Sequence, residues 1–235
     1  MMVTDFHSHI LPGVDDGSDS IEESVAMLRL EAEQGISHVI ATPHFYPRHD
    51  NPERFLERRA RAEAMLRPEL EKDSSLPELS VGAEVHFFSG MSQSDILPLL
   101  TMAQKCCILI EMPPAPWTDS MYRELENIWH QRGIVPVIAH VDRYISRFRS
   151  YGIPERLAQL PVMVQANAGF FLQPATASMA LRMLKKGQIH LLGSDCHNLS
   201  DRRPNLGAAV DKIRARLGEQ AVERILSLER EMLCK

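Results

Sequence analysis

The sequence is poor in the features that define several common protein classes. It has four cysteines in 235 residues and no Cys-x-x-Cys pair, which argues against a disulfide framework and against thiolate-bound metal. No apolar run approaches the roughly 20 residues that a membrane-spanning helix needs. The start of the chain also lacks the charged and apolar segments of a signal peptide. We therefore expect a soluble, cytoplasmic protein without membrane insertion.

Long basic tracts are absent as well. The formal net charge is −5, and the lysines and arginines form no extended cluster, so general affinity for nucleic acid is not indicated. The chain also contains no repeat, low-complexity tract or linker. Barrels of alternating strands and helices often reach this length undivided. Residues 1–235 are therefore predicted to form a single domain.

What the chain does contain is a series of seven short apolar runs that end in residues able to bind metal. Residues 3–6, for example, lead directly into His7 and His9. Burying so many ionisable groups without a cation would be costly, so the pattern predicts a site for several metal ions. The residues at the ends of the runs are His7, His9, His44, Glu84, Glu111, His140, Asn167, Asp195 and His197.

Two of these runs deliver a pair of ligands separated by one residue. Side chains two residues apart in an extended segment point to the same face. His7 and His9 are therefore expected to converge, as are Asp195 and His197, while Cys196 between the second pair points away. A site built from nitrogen and oxygen ligands suits manganese, iron or zinc.

Segments with helical periodicity separate the apolar runs, and this alternation predicts a parallel sheet. Ser20-x-x-Glu23 is a capping box, and Asn51-Pro52 places proline in a first helical turn. Further helices are expected within residues 119–133, 174–187 and 206–234. Ligands from six of seven strand ends can meet at one point only if the sheet curls. We therefore expect an α/β fold, a distorted seven-stranded TIM-like (β/α)7 barrel, with the metal site at the C-terminal strand ends.

Residues 5–18, which read DFHSHILPGVDDGS, resemble the opening motif of the polymerase and histidinol phosphatase (PHP) superfamily. More narrowly, they resemble that of the bacterial capsule-type tyrosine-protein phosphatases. Other matching stretches are residues 41–44, 82–85, 110–111, 139–143 and 193–199. The resemblance spans nearly the whole chain and implies a distorted seven-stranded barrel that holds three metal ions.

Carried over position by position, the resemblance also implies a ligand set for three divalent ions, with manganese expected and iron or zinc as alternatives. The implied ligands are His7, His9, Glu84 and Asp195 for the first ion, Glu84, Glu111 and His140 for the second, and Asp16, His44 and His197 for the third.

Three further positions follow from the same resemblance. Asp15 is the alternative to Asp16 as a ligand, and the spacing from His7 favours Asp16. Arg143 and Arg202 resemble the phosphate-binding arginines of the family, whose forked guanidinium groups suit phosphoryl oxygens.

These features predict a metal-dependent phosphomonoester hydrolase. A carboxylate that bridges two cations about 3.5–4 Å apart lets them activate a shared water, and the metal-bound hydroxide is expected to attack phosphorus. The resemblance implies a phosphotyrosine protein as substrate, in particular the tail of a capsule or exopolysaccharide tyrosine kinase. No residue is assigned as the leaving-group acid. A small-molecule phosphatase of the histidinol-phosphate type and a non-catalytic binding protein with a structural metal centre remain alternatives.

A different mechanism is suggested by one spacing. Cys196 is followed by five residues and then Arg202, as in cysteine-dependent tyrosine phosphatases, but the intervening residues contain no glycine and include Asp201. This spacing alone is a weak signal. Two further histidines are candidates to touch substrate: His49 lies in the loop after His44, and His86 points the same way as Glu84 if that strand continues. Tyr46, Trp117 and Tyr144 are in loops on the ligand side and are candidates to flank an aromatic substrate, with simple packing as the alternative.

Overall fold

The computed structural model describes residues 3–103, 106–148 and 152–233. Strands and helices alternate along this part of the chain, and the paired strands of each sheet are parallel. The strands are β1 (Val3–Ser8), β2 (Ile36–Ala41), β3 (His44–Phe45), β4 (Glu78–Val81), β5 (Glu84–His86), β6 (Cys107–Glu111), β7 (Val135–Ile138), β8 (Met163–Asn167) and β9 (Leu191–Gly193).

Two helices start where the sequence signals at Ser20 and Asn51 indicate. The Ser20 hydroxyl accepts a hydrogen bond from the Glu23 amide, and the Asn51 side chain accepts one from the Arg54 amide, which satisfies amides that the first turn leaves unpaired. The helices are α1 (Ile21–Glu33), α2 (Pro52–Lys72), α3 (Asp119–Arg132), α4 (Val141–Phe148), α5 (Ile153–Leu157), α6 (Ala168–Leu172), α7 (Ala177–Lys185), α8 (Leu206–Leu217) and α9 (Glu219–Leu233).

The last predicted helical segment extends to Cys234, which lies outside the described residues. Two short 3₁₀ helices precede β6, at Met91–Gln93 and Leu97–Leu99. Within the described residues, no helix combines the length and the apolar character needed to cross a bilayer.

The strands form a three-stranded sheet in the order β1-β2-β4 and a six-stranded sheet in the order β3-β5-β6-β7-β8-β9. The predicted parallel α/β fold with a curled sheet is confirmed. The described residues nevertheless form nine short strands in two sheets, rather than the seven strands of the prediction. One break falls at Thr42 and Pro43, between β2 and β3, where proline has no N–H to donate to a ladder.

The first and last strands meet at their carboxyl ends. The Asp195 amide donates to the His7 carbonyl over 2.8 Å, and the His9 amide donates to the Cys196 carbonyl over 2.9 Å. The Asp5 carboxylate lies in the same seam and accepts hydrogen bonds from the amides of His7 and Ser194. These contacts bring the two paired ligand segments side by side.

Apolar packing occupies both faces of the curled sheet. The larger cluster lies between the strands and the helices, whereas a smaller one joins side chains from β1, β2, β6, β7 and β9 and so fills the concave interior. Phe6, Ile40, Leu109, Val137 and Leu191 belong to this inner cluster and are completely buried. The polar strand ends therefore lie above a fully buried apolar cluster.

Candidate metal centre

The carboxylate of Glu84 is the centre of the site. Its Oε2 atom lies 3.1 Å from His7 Nε2, 3.4 Å from His9 Nε2 and 2.9 Å from His44 Nδ1. Its Oε1 atom lies 2.7 Å from His140 Nε2. Glu84 is 1% exposed. Four histidines from three separated segments of the chain thus converge on one buried carboxylate.

Asp195 lies beside this carboxylate. Its Oδ1 atom is 3.5 Å from the Nε2 atoms of both His7 and His9. Asn167, the weakest ligand candidate in the sequence, donates a hydrogen bond from its Nδ2 to the other oxygen of Asp195 over 2.9 Å. The structure therefore places Asn167 next to a candidate ligand as a hydrogen-bond donor.

Two of the ligand positions have unusual backbone geometry. His140 has φ +31° and Asp195 has φ +54°, the left-handed region that costs a non-glycine residue on the order of 1–3 kcal/mol. Strand β9 ends at Gly193, so Asp195 and His197 do not lie on an extended segment as the alternation argument assumes. They converge through a turn instead, with His197 Nδ1 3.7 Å from Asp195 Oδ1.

The adjacent aspartates of the opening motif have different positions. Asp16 Oδ1 lies 3.5 Å from His44 Nε2 and 3.5 Å from His197 Nε2. Asp15 instead accepts hydrogen bonds from His9 Nδ1 over 2.7 Å and from the His44 amide over 2.8 Å. Asp16 thus lies close to the metal-binding atoms of two candidate ligands, whereas Asp15 holds His9 and His44 in place through hydrogen bonds.

Most of the candidate ligand atoms fall into compact groups. Glu111, the remaining candidate, has its Oε1 atom 3.6 Å from His140 Nε2. Within each of three groups, the ligand atoms lie no more than 4.8 Å from one another: His9, Asp16, His44 and His197; His7, His9 and Asp195; and His44, Glu84 and Glu111.

Sequence reasoning did not find Gln165, a buried residue of β8 that organises two ligands. Its Oε1 atom accepts from the His140 amide over 2.6 Å and lies 3.3 Å from His7 Nδ1. Because this oxygen can only accept, the contact suits a His7 ring with a proton on Nδ1, whose Nε2 atom faces Glu84. The signal was a polar residue inside an apolar run.

Unpartnered polar atoms test whether the site suits cations. Glu84 Oε2, His44 Nδ1 and His197 Nε2 are buried and make no hydrogen bond, although the first two lie only 2.9 Å apart. Buried polar atoms are almost always paired, and these three belong to the residue types that bind divalent metals. The residues present therefore fit a metal centre.

The electrostatics of the site favour ionised carboxylates. Burial alone would raise the pKa of Glu84, but the charge of His7 and the contacts with His140 hold it well below its usual value. Burial opposes ionisation of Asp195 as well, and His7 and His9 lower its pKa. For His9, burial would lower the pKa, yet the Asp15 and Glu84 carboxylates raise it to about 10.

Two arginines lie at the mouth of the site. Arg202 donates from Nη2 to Asp195 Oδ1 over 2.8 Å, and Arg143 donates to Oδ2 of the same carboxylate. Their side chains are 34% and 42% exposed. Part of each guanidinium group is thus available to an incoming anion.

Close packing behind the ligands depends on one glycine. A Cβ atom on Gly193 would lie 2.5 Å from His7 Cβ and 2.7 Å from Gln165 Nε2. Any side chain there would have to displace a ligand or its hydrogen-bond partner.

Cys196 is directed away from the site, although residues 195–197 are not the extended segment that the prediction assumed. It is completely buried, its Sγ atom lies 4.0 Å from Glu31 Oε1, and burial raises its pKa well above the usual value. Arg202 interacts with Asp195 and Asp16. This geometry does not suit a cysteine nucleophile paired with an arginine.

Comparisons with known proteins agree with the site. The family model described as "Capsular polysaccharide synthesis, CpsB/CapC" matches residues 3–234. Tyrosine-protein phosphatase YwqE of Bacillus subtilis is 32% identical over 209 residues, covering 84% of this chain and 78% of its own. Tyrosine-protein phosphatase CpsB of Streptococcus pneumoniae is 27% identical, covering 94% and 93%.

A solved structure also matches, from a study of YwqE of Bacillus subtilis and CpsB of Streptococcus pneumoniae that describes them as metal-dependent tyrosine phosphatases. It has a TM-score of 0.84 and 25% identity, with coverage of 98% of this chain and 94% of the other.

Proposed function

Because this chain belongs to the CpsB/CapC family of capsular polysaccharide synthesis proteins, we propose that it is a metal-dependent protein-tyrosine phosphatase. The observation that carries the proposal is the buried Glu84 carboxylate, which faces four histidines beside an aspartate held by two arginines. The relatives named above are tyrosine-protein phosphatases, which supports the same activity for this chain.

The proposed centre binds three divalent ions, with manganese as the expected metal and iron or zinc also suited to its ligands. All the proposed ligands except His140 belong to one of the three compact groups described above. Glu84 faces both His7 and His140, so its two oxygens would be able to serve two ions. The proposed ligands are His7, His9, Glu84 and Asp195 for the first ion, Glu84, Glu111 and His140 for the second, and Asp16, His44 and His197 for the third.

Divalent ions in such a centre would acidify a bound water and neutralise charge on the phosphoryl group. The chain itself would position the substrate. Arg143 and Arg202 would bind phosphoryl oxygens with the parts of their guanidinium groups that Asp195 leaves available. Asp15 and Gln165 would keep the rings of His9 and His7 in the tautomer that a ligand needs. Tyrosinate, with a pKa near 10, is a tolerable leaving group beside a cation.

The fold supports a single domain at residues 1–235. If β2 with β3 and β4 with β5 are each counted as one interrupted strand, the nine strands count as seven. The hydrogen bonds of His7 and His9 with residues 195 and 196, just after β9, support the proposal that they form a closed barrel. The proposed partner is the phosphorylated tail of a bacterial tyrosine kinase. The proposed location is the cytoplasm, where the chain would meet this partner.

The proposal is tested by turnover of two substrates. Metal-stripped protein is assayed with a phosphotyrosine peptide and with histidinol phosphate, with and without added manganese. His7→Ala is the test variant, and His130→Ala, which changes an exposed residue of α3, is the matched control. We expect manganese-dependent hydrolysis of the peptide that His7→Ala loses and His130→Ala retains.

Other outcomes separate the alternatives. Preferential hydrolysis of histidinol phosphate would indicate a small-molecule phosphatase with the same centre. Metal binding without turnover of either substrate would indicate a binding protein with a structural metal centre, and activity without metal would contradict the proposed mechanism.

A further inference from the structure

A cavity of about 780 Å³ opens beside the metal centre, on the side of β3, β5 and β6. Its lining includes Tyr46, Arg48, His86, Phe88 and Met121. Ligand pockets commonly measure about 300–1,000 Å³, so this one has room for more than a single side chain. A small phosphate ester such as histidinol phosphate would leave much of it unfilled.

Two residues of the cavity wall, Tyr46 and His86, contact candidate ligands. The Tyr46 ring stacks on His44 with centroids 5.1 Å apart and planes at 26°, and it lies 5.9 Å from the His86 ring. His86 Nδ1 is in turn 3.3 Å from Glu111 Oε2. Tyr46 is 38% exposed. An aromatic surface therefore leads directly from the cavity to the metal centre.

The other two aromatic candidates from the sequence have structural contacts instead. Tyr144 is 3% exposed, and its hydroxyl accepts a hydrogen bond from the Met112 amide. The Trp117 ring packs edge-on against Tyr144. Tyr46 is thus the candidate whose ring can meet a substrate.

Both sides of the centre carry arginine side chains, which differ in their partners. The side towards β8 and β9 has a second cavity of about 330 Å³, lined by Arg143, Arg202 and Asp195 among others, which suits a phosphoryl group. At the first cavity, Arg48 is exposed and makes no ion pair with any of the described residues. An acidic side chain of a bound peptide would therefore find an unpaired cation there.

We propose that the cavity beside Tyr46 is the subsite for the aromatic ring of phosphotyrosine and for an acidic residue next to it in a peptide substrate. The ring stacks on Tyr46, and the acidic side chain pairs with Arg48. This inference rests on the proposed function, because it names the substrate surface of the same site. It makes Tyr46 and Arg48 specificity-determining residues.

The test compares peptide turnover with phosphate binding. We would measure kcat/KM for a phosphotyrosine peptide with glutamate neighbours and for the same peptide with glutamine neighbours, together with the inhibition constant of inorganic phosphate and the metal content. The variants are Tyr46→Leu, Tyr46→Phe and Arg48→Gln. Arg54→Gln is the matched control, because Arg54 is exposed at the start of α2 and does not line the cavity.

Tyr46→Leu is expected to lower kcat/KM for both peptides by about tenfold, without a matching rise in the inhibition constant of phosphate, and Tyr46→Phe should restore most of the loss. Arg48→Gln should reduce the preference for the glutamate peptide by about two- to fivefold, whereas Arg54→Gln should not. Equal losses of peptide turnover and phosphate binding in Tyr46→Leu, or an unchanged preference in Arg48→Gln with metal content intact, would overturn the inference. A wild-type protein without any phosphatase activity would refute the proposed function and this inference with it.

Discussion

Two groups of buried carboxylates lie close to strand β1 and differ in their ionisation. At the metal centre, the pKa values of Glu84 and Asp195 are lowered. In the second group, which we call the acid cluster, Asp5, Glu31 and Glu229 are at most 1% exposed. Burial raises the pKa values of Asp5 and Glu31, and it raises that of Glu229 to about 8.

Burial acts in the same direction on both groups, so their neighbours decide the difference. Histidines and an arginine lower the pKa values at the metal centre. In the acid cluster, Glu31 lies beside the Asp5 carboxyl, which raises its pKa further. A buried carboxyl without a sufficient counter-charge is more stable protonated. Of the two groups, the metal centre is therefore the one whose neighbours favour ionised carboxylates.

The largest effect is expected when one carboxyl of each group is replaced by an amide. Glu84→Gln changes the proposed bridging ligand, and we expect a loss of several kcal/mol of transition-state stabilisation, or about 10³-fold in kcat/KM. Glu31→Gln, the matched change in the acid cluster, should keep most of the activity because a protonated acid is replaced by a neutral amide. Similar losses of kcat/KM in the two variants would contradict the difference in ionisation between the two groups.

Metal removal should also separate the two groups. A ligand present at 1,000 times its Kd stabilises the folded state by about 4 kcal/mol, so chelation is expected to lower the Tm of the wild type clearly. The same treatment should lower the Tm of Glu31→Gln equally but that of Glu84→Gln much less. Melting curves with and without chelator measure this, and a wild-type Tm that does not respond would contradict a metal centre.

The acid cluster should contribute a pH dependence of stability. The folded-state pKa of Glu229, about 8, lies above its ordinary value of 4.5, so the folded protein keeps a proton that the unfolded chain releases. Stability contributed by the protonated acid is therefore lost as pH rises from about 4.5 to about 8, by an amount on the order of a few kcal/mol.

Glu229→Gln should remove this dependence, because glutamine does not titrate. The fold should be kept, since the glutamine oxygen can still accept the Thr4 amide hydrogen bond that Glu229 accepts. The variant should match the wild type near pH 4.5 and exceed it above pH 8 in urea unfolding. Glu231→Gln, which changes an exposed residue of the same helix, should follow the wild-type profile. A Glu229→Gln profile as steep as that of the wild type would show that Glu229 is ionised.

The smallest effect is expected at Cys196, which separates two candidate ligands but faces the acid cluster. Cys196→Ser should retain kcat/KM within about twofold, with at most a modest loss of stability from burying a hydroxyl. An activity loss comparable to that of Glu84→Gln would mean that the thiol takes part in the reaction.

Several features of the protein follow from the sequence alone. The apolar runs and their polar ends predict the parallel strands and the residues that cluster at their carboxyl ends, and the signals at Ser20 and Asn51 predict two helix starts. These inferences succeed because periodicity and capping are local properties. The ligand character of His, Asp and Glu likewise depends on residue type.

The spacing from His7 favours Asp16 over Asp15, but only the tertiary structure gives the two aspartates their different contacts. Only the tertiary structure assigns Asn167 and Gln165 to supporting hydrogen bonds, and it directs Tyr46 towards a cavity while Tyr144 is buried. These outcomes depend on contacts between distant segments and on the positive φ at Asp195 and His140. Side-chain direction there is set by packing against neighbours that the local sequence does not specify. The local sequence does not specify the ionisation of the two carboxylate groups either, because ionisation depends on which charges the fold brings close to each acid.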